Sequence, residues 1–523
     1  MKFNKQPAEW TVNEPPVELG DRTPHMSTWS CDAGGKWYIS GASRRGKMHE
    51  HNAEFREDAF AFDYAANWIL VAVADGAGSH HLSRVGANLA VKTALETMCR
   101  RIESQPPVES VVKIALEMAL RESWKALFQE AERRKDKKLE FRDLSTTLML
   151  LMYHPRKNYV GVAQIGGGLL AGQFEDGQVF LLGHPESGEY SGHTYFLTNH
   201  KPEDFPLKCE FLDAKDKQIR YFFVMTAGMA DDLYPPKDKL PGLIKAIPAV
   251  MGAESPDKSL LELINYNRPG SFSDRTLVVV CKRQDVAAQA AREEQPTSNL
   301  RQPQQVVVQP KPIPPKKGTN TGTGSSGLDF GSLTARRMPV YFLLECSDSM
   351  RGAPIMAVEQ GVQLLHNELS NIPQAVDAVH LSVVAYSTYA QQVAPLTPLP
   401  SFSSPPLMVG GTRNLGNALR VLGSSIYADL IRGSETAKGD YKALIFWITD
   451  GEPADDWQAG LKYFQERTSG LLGNFVALGA GDSVNMGIMR QITPHVLLMT
   501  DVSPENLRTW FKWDSQPAYP VKE

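Results

Sequence analysis

Two clusters of acidic and hydroxyl residues stand at the ends of apolar runs, where a fold can gather side chains around a cation. In the first, Glu57 and Asp58 lie in FREDAFAFDY, and Asp75 and Gly76 close VAVADG. Carboxylates converging from adjacent strands repel one another unless cations lie between them, and a bridging pair of divalent ions can activate water for attack on a phosphoryl group. In the second, Glu345, Ser347 and Ser349 follow the apolar run VYFLL, Thr412 lies in GGTRNLGNAL, and Asp450 ends LIFWITD. Small hydroxyls alternating along a loop, with a carboxylate from a neighbouring strand, suit a hard cation such as Mg2+ that keeps some waters and an open coordination position. A plainer reading stands beside each cluster. Most Asp and Glu are solvated surface groups, and Ser347 and Ser349 could cap the following helix while Asp450-Gly451 makes a turn.

The elements that must position these residues fall into two patterns. Strand-like runs at residues 37–40, 59–64, 68–74, 146–153, 159–165, 178–182, 221–225 and 276–281 are mostly joined by short turns, with helical patterns at 85–102 and 108–130. Tightly joined strands imply antiparallel sheets, and the helices then flank them, giving an α+β sandwich over residues 36–282. Residues 338–513 read instead as alternating strands and helices, with apolar runs at 340–344, 379–385, 443–448, 474–478 and 495–499. That is the pattern of an α/β doubly wound parallel sheet, whose ligands sit beyond the carboxyl ends of the strands. The first helix there has Pro354 in its first turn, with Ile355, Val358, Val362, Leu365 and Leu369 on one face.

The segments SRRGKMHEHNAEFREDAF, VADGAGSHHLSRVGANLAV, STTLMLLMY, YFFVMTAGMADDL and SFSDRTLVVV occur in the order of the metal-dependent protein phosphatase 2C family, and together they resemble its divergent bacterial branch. The resemblance implies Mn2+ or Mg2+ bound by Glu57, Asp75 and the Gly76 carbonyl, with Asp75 bridging to a second ion and Asp58 holding a metal-bound water. It also implies that Arg44 or Arg45 binds substrate phosphate, the spacing leaving open which, and that His49 protonates the leaving oxygen unless it is simply a surface histidine. The later motifs depart from the family. Gly166-Gly167-Gly168 stands where the family has Gly-Asp, Thr226-Ala227-Gly228 where it has Ser-Asp-Gly, and Ser273 where it has a metal aspartate, with Asp274 one place later; Asp231 is retained. Gly and Ala side chains cannot ligate a cation, so the second metal loses at least one ligand. Asp231 and Asp274 remain its candidate ligands.

The run PVYFLLECSDSMRGAPIMAVEQGVQLL, with KALIFWITDGEPADDW, resembles a von Willebrand factor A domain of the bacterial tellurium-resistance TerY type. The resemblance implies a Mg2+ adhesion site made by Glu345, Ser347, Ser349, Thr412 and Asp450, completed by an acidic side chain of a protein partner. Two departures stand out. Glu345 replaces the family aspartate, and the loop from Thr412 to Gly416 is one residue longer than the family's.

The whole chain sets the frame. Its 523 residues with net charge −4 show no basic stripe, which argues against nucleic acid or anionic membrane as the main partner. No run approaches the roughly 20 apolar residues of a bilayer span and no apolar signal core opens the sequence, so a cytoplasmic protein is expected. Five scattered cysteines without a Cys-x-x-Cys pair argue against disulfides and zinc. Residues 1–35 and 514–523 read as polar tails and 283–337 as a disordered Pro/Gln/Gly-rich linker, whose mean reach is on the order of 40 Å. Three functions compete: a phosphoserine/phosphothreonine protein phosphatase whose A domain selects partners, a pseudophosphatase that binds a phosphoprotein or kinase without hydrolysis, and an inert N-terminal module beside an adhesive A domain. By family association, a separate Ser/Thr kinase and a stress-response or defence circuit are expected.

Overall fold

The computed structural model describes residues 8–16, 20–80, 82–135, 139–186, 194–283, 336–434, 439–480 and 484–499. Nearly all of the expected linker, the last part of the expected C-terminal domain (500–513) and the expected tail (514–523) lie outside the described residues.

The N-terminal unit is built on two antiparallel sheets. Its strands are β1 (Met26–Ala33), β2 (Trp37–Arg44), β3 (Ala59–Ala65), β4 (Trp68–Ala74), β5 (Leu148–His154), β6 (Tyr159–Ile165), β7 (Leu169–Phe174), β8 (Val179–Leu182), β9 (Cys209–Asp213), β10 (Ile219–Met225) and β11 (Arg275–Lys282). One sheet runs β1-β2-β11-β10-β7-β8 and the other β3-β4-β5-β6-β9. β4 shows why they stack: all seven of its side chains are buried, so it needs apolar partners on both faces. Ile69, Val71 and Val73 meet Val278 and Val280 between the sheets. Leu70, Ala72 and Ala74 face the helices Ser83–Ile102 and Glu109–Arg133. On the far side, helices Pro236–Gly252 and Pro256–Leu263 cover Leu277, Val279 and Cys281 of β11. The result is a helix–sheet–sheet–helix stack, in which each fully buried Leu, Ile or Val contributes about 1.5–3 kcal/mol.

The C-terminal unit has strands β12 (Met338–Glu345), β13 (Val379–Tyr386), β14 (Ala390–Pro398), β15 (Ala443–Thr449), β16 (Leu472–Ala480) and β17 (His495–Met499), in the order β14-β13-β12-β15-β16-β17. All neighbours are parallel except β13 with β14. Phe342 and Leu344 of β12 pack on one face, and Tyr341 and Leu343 on the other. The helix Ala353–Leu369 buries Ile355, Val358 and Val362, as its spacing predicts.

Two expectations need correction. The tail drawn to residue 35 contains β1, which pairs with β2 along its whole length from Met26↔Arg44 to Ala33↔Trp37. Earlier still, Trp10 stacks on Phe272 at 5.0 Å and donates from Nε1 to Asp377 at 3.1 Å. The antiparallel edge strand β14 is also an addition to the expected parallel sheet. Among the described residues, no helix is long and apolar enough to cross a membrane. All five cysteines are free thiols, as their spacing predicts.

Candidate functional site

Strand register brings the first cluster together. β3 and β4 pair Ala59 with Ala74, so Asp58 and Asp75, one step beyond the ladder, stand opposite each other. Asp58 is almost fully buried. Its Oδ2 accepts the hydroxyls of Thr226 and Thr276, each at 2.7 Å, and its Oδ1 has no hydrogen-bond partner. The Ala227 N–H partly stabilises the Asp75 carboxylate, without offsetting its burial. Glu57 leaves Oε2 unpartnered, 3.7 Å from His49 Nε2, which is itself buried and unpartnered. Gly76 packs tightly here: a Cβ on it would lie 3.0 Å from both the Cβ and the carbonyl oxygen of Glu57.

The electrostatics follow from burial without enough donors. Burial, then the neighbouring Asp75 and Asp274, pushes Asp58 well above the carboxylate range. Burial and Asp274 push Asp75 up to about 7, and burial pushes Glu57 up to about 7 against the pull of His49. For His49, burial favours the neutral ring, but Asp274, Glu57 and Glu54 outweigh it and raise the pKa to about 10. A cation between Glu57, Asp58 and Asp75 would relieve this strain, and the oxygen-only donor set suits Mg2+ or Mn2+. The fit is to a sparsely held ion. Among the described residues, no three His, Cys, Asp or Glu side chains form a ready-made metal cage.

Not every expected residue joins this cluster. Asp274 accepts Gly46 N–H at 2.6 Å and His49 Nδ1 at 2.8 Å on one oxygen, and Glu57 N–H at 2.6 Å on the other. It is therefore a brace that orients His49 and the Glu57 backbone, rather than the open metal ligand expected. Asp231 is exposed, whereas its neighbour Asp232 is buried among Tyr266, Arg268 and Ser271. Arg45 is buried and donates to the Glu54 carbonyl at 3.1 Å, and Arg44 lies 3.9 Å from Glu50. Among the described residues, neither arginine pairs with Glu57, Asp58 or Asp75. His49 is buried, which removes the surface-histidine reading.

The departures from the phosphatase pattern cluster in space. A Cβ on Gly167 would lie 3.6 Å from the Ala227 Cβ, and one on Gly228 would lie 3.0 Å from the Ser273 Cβ. The three segments that depart from the family pattern thus lie close together, with Gly167 beside Ala227 and Gly228 beside Ser273. Sequence reasoning missed the hydroxyls of Thr226 and Thr276, and also Arg56, which donates to the Asp58 carbonyl at 2.7 Å.

The second cluster forms beyond β12 and β15, whose parallel register sets Leu344 beside Ile448 and so carries Glu345 alongside Thr449 and Asp450. Glu345 is completely buried and accepts four donors. Oε1 takes the Ser347 hydroxyl and Arg413 Nε at 2.8 Å, and Oε2 takes the Thr449 hydroxyl at 2.5 Å and Asp450 N–H at 3.2 Å. Arg413 Nε also reaches Asp450 Oδ1 at 3.1 Å, and its Nη2 donates to Ser349 Oγ at 2.8 Å. The guanidinium therefore lies among Glu345, Ser349 and Asp450, and the expected Mg2+ does not fit the site as folded. A carboxylate has about four acceptor positions, and all of those on Glu345 are taken. Thr412 is a further correction: it is exposed and pairs with Thr388 and Asn414, away from Glu345 and Asp450.

Residues 45–265 match the family model for protein phosphatase 2C, and residues 340–507 match that for the von Willebrand factor type A domain. A curated relative, serine/threonine-protein phosphatase 3 of Escherichia coli (strain K12), is 29% identical over 224 residues, covering 37% of this chain and 82% of its own. Among solved structures, the catalytic domain of the serine/threonine protein phosphatase PstP with two manganese ions aligns at 18% identity and TM-score 0.34, over 47% of this chain and 98% of its own. Proximal thread matrix protein 1 from the mussel byssus, with a zinc-occupied MIDAS motif, aligns at 16% identity and TM-score 0.26, over 34% of this chain and 47% of its own. Residues 45–265 are thus similar to protein phosphatase 2C, and residues 340–507 are similar to a von Willebrand factor type A domain.

Proposed function

We propose that the chain is a metal-dependent phosphoserine/phosphothreonine protein phosphatase whose A domain recognises a protein partner, within a bacterial stress-response or defence phosphorylation circuit. The observation that carries the reading is the unpartnered Asp58 Oδ1 and Glu57 Oε2 beside the raised carboxyl of Asp75. A buried set of this kind is costly unless it serves a cation. Glu57, Asp75 and the Gly76 carbonyl would hold one Mn2+ or Mg2+, with Asp58 holding a water beside it. When bound, the ion supplies a water acidified for attack on phosphorus. His49, charged at neutral pH and fixed by Asp274, keeps Nε2 as the proton source for the departing serine or threonine oxygen. Thr226 and Thr276 fix the Asp58 carboxylate by occupying one of its oxygens. Exposed Asp231 stays the candidate outlying ligand for a weakly held second ion. The partners of this reading are a phosphoprotein substrate, a separate Ser/Thr kinase and a protein ligand of the A domain.

The pseudophosphatase alternative has its own support in Gly167, Ala227 and Ser273, which supply no carboxylate to a second ion. Hydrolysis of a phosphothreonine peptide by the full chain, titrated with Mn2+ beside an Asp75→Asn variant, separates the two. Turnover that needs metal and disappears in the variant supports the phosphatase. A folded protein with no turnover at millimolar Mn2+ contradicts the phosphatase reading.

A further inference from the structure

Both departures of the A domain from its family pattern meet at one contact. Glu345, longer by one methylene than the family aspartate, receives Nε of Arg413, which lies in the loop that is one residue longer. We infer that the Arg413 guanidinium is a built-in replacement for the adhesion-site metal, so that this A domain meets an acidic partner through an arginine and without a divalent ion.

Three observations support the inference independently. First, the donors of Arg413 go to the residues that the family pattern assigns to the cation: Glu345 at 2.8 Å, Asp450 at 3.1 Å and Ser349 at 2.8 Å. A single positive charge with directional N–H groups replaces the ion and leaves the two carboxylates bridged. Second, the neighbouring backbone admits the group closely. A Cβ on Gly451 would lie 2.5 Å from Arg413 Cζ and 2.7 Å from its Nη1, so the guanidinium rests directly on a residue without a side chain. Third, the hydroxyl that should complete the metal shell, Thr412, is turned to Thr388 and Asn414.

The arrangement also accounts for recognition. The Arg413 side chain keeps 29% of its surface exposed, and among the described residues its hydrogen bonds run from Nε and Nη2, leaving Nη1 over. A partner carboxylate approaching the loop would meet this nitrogen and make a charge-assisted hydrogen bond, in the place where a metal-containing site offers its open coordination position. Chelators would then leave adhesion intact, while salt would weaken it. The inference deepens the recognition role proposed above and does not depend on turnover by the phosphatase domain.

The test uses the full chain with the phosphatase cluster silenced by Glu57→Gln and Asp75→Asn, titrated with Mn2+ by calorimetry and followed by electron paramagnetic resonance. The silenced protein is expected to bind no Mn2+ through its A domain. Adding Arg413→Ala should create one bound Mn2+, and adding Ser349→Ala to that variant should remove it. Arg413→Gln, which keeps most of the side-chain volume and removes the charge, repeats the measurement if the alanine variant fails to fold. Mn2+ that binds the silenced protein and is lost with Asp450→Asn would overturn the inference. So would a folded Arg413 variant that gains no Mn2+.

Discussion

Glu57 and Glu345 both stand beside strand ends, buried, with a second carboxylate next to them, yet they are served in opposite ways. Glu345 has four donors, one of them a guanidinium, whereas Glu57 keeps an unpartnered oxygen and Asp58 keeps another. The cationic groups near the first cluster do not fill it. His49 bonds Asp274 and stays 3.7 Å from Glu57, and Arg56 reaches the Asp58 carbonyl instead of its carboxylate. Carboxyl burial alone therefore does not identify a metal site. What distinguishes an open site from a closed one is whether the chain supplies its own positive charge to the convergent oxygens.

The contrast can be broken most severely at Asp75. Asp75→Asn should lower metal-dependent phosphothreonine hydrolysis by about 100-fold or more, measured as kcat at saturating Mn2+, because it removes the charge expected to hold the ion. In the closed site, Arg413→Ala should cost about 3 kcal/mol in urea unfolding by leaving Glu345 buried without its cation, and added Mg2+ should restore part of that loss. Ala227→Asp, which returns a carboxylate beside Gly167, should tighten Mn2+ binding about 10-fold and raise turnover at limiting metal, read by titration and initial rates.

The pH dependence sharpens the same comparison. Glu57 and Asp75 ionise near 7 in the folded protein, above their ordinary values, so the folded state binds more protons than the unfolded chain between about pH 4 and 7. Their contribution to stability is therefore lost as pH rises through that window. His49, raised to about 10, adds stability that is fully present below about pH 6.5 and is lost as pH rises toward 10. The Tm of the phosphatase domain's transition, followed in the metal-free full chain, should fall from pH 4 to 7, and saturating Mg2+ should remove most of that fall. The smallest effect is expected at Thr412, where Thr412→Ala should change unfolding by less than about 0.5 kcal/mol, since its contacts are exposed.

Much of this was legible in the residues, and the failures have physical causes. Strands with both faces buried, such as β4, β5 and β11, announce themselves as continuous apolar runs. β1 (MSTWSCDA) is an edge strand rich in Ser and Thr, β7 (LLAGQF) has an internal Gly, and β9 (CEFLD) is a short edge strand, so none carries that signal. Helix Pro236–Gly252 was hidden by Pro241 and Pro248, which read as breakers. In the sites, the convergence of Glu57, Asp58 and Asp75 followed from strand ends. The bracing of Asp274 did not, because it depends on backbone N–H groups of Gly46 and Glu57 that are more than 200 positions away in the chain. Arg413 left one trace, the loop longer by a residue, which shows that something differs there without showing where the guanidinium goes.

Anomalous scattering from Mn2+-soaked crystals of the full chain tests the central claim most directly, because it locates every bound ion by position. The account predicts a peak among Glu57, Asp75 and the Gly76 carbonyl, and no peak between Glu345 and Asp450, where Arg413 remains in place. A peak at the second position with Arg413 swung outward, or none at the first, would contradict it.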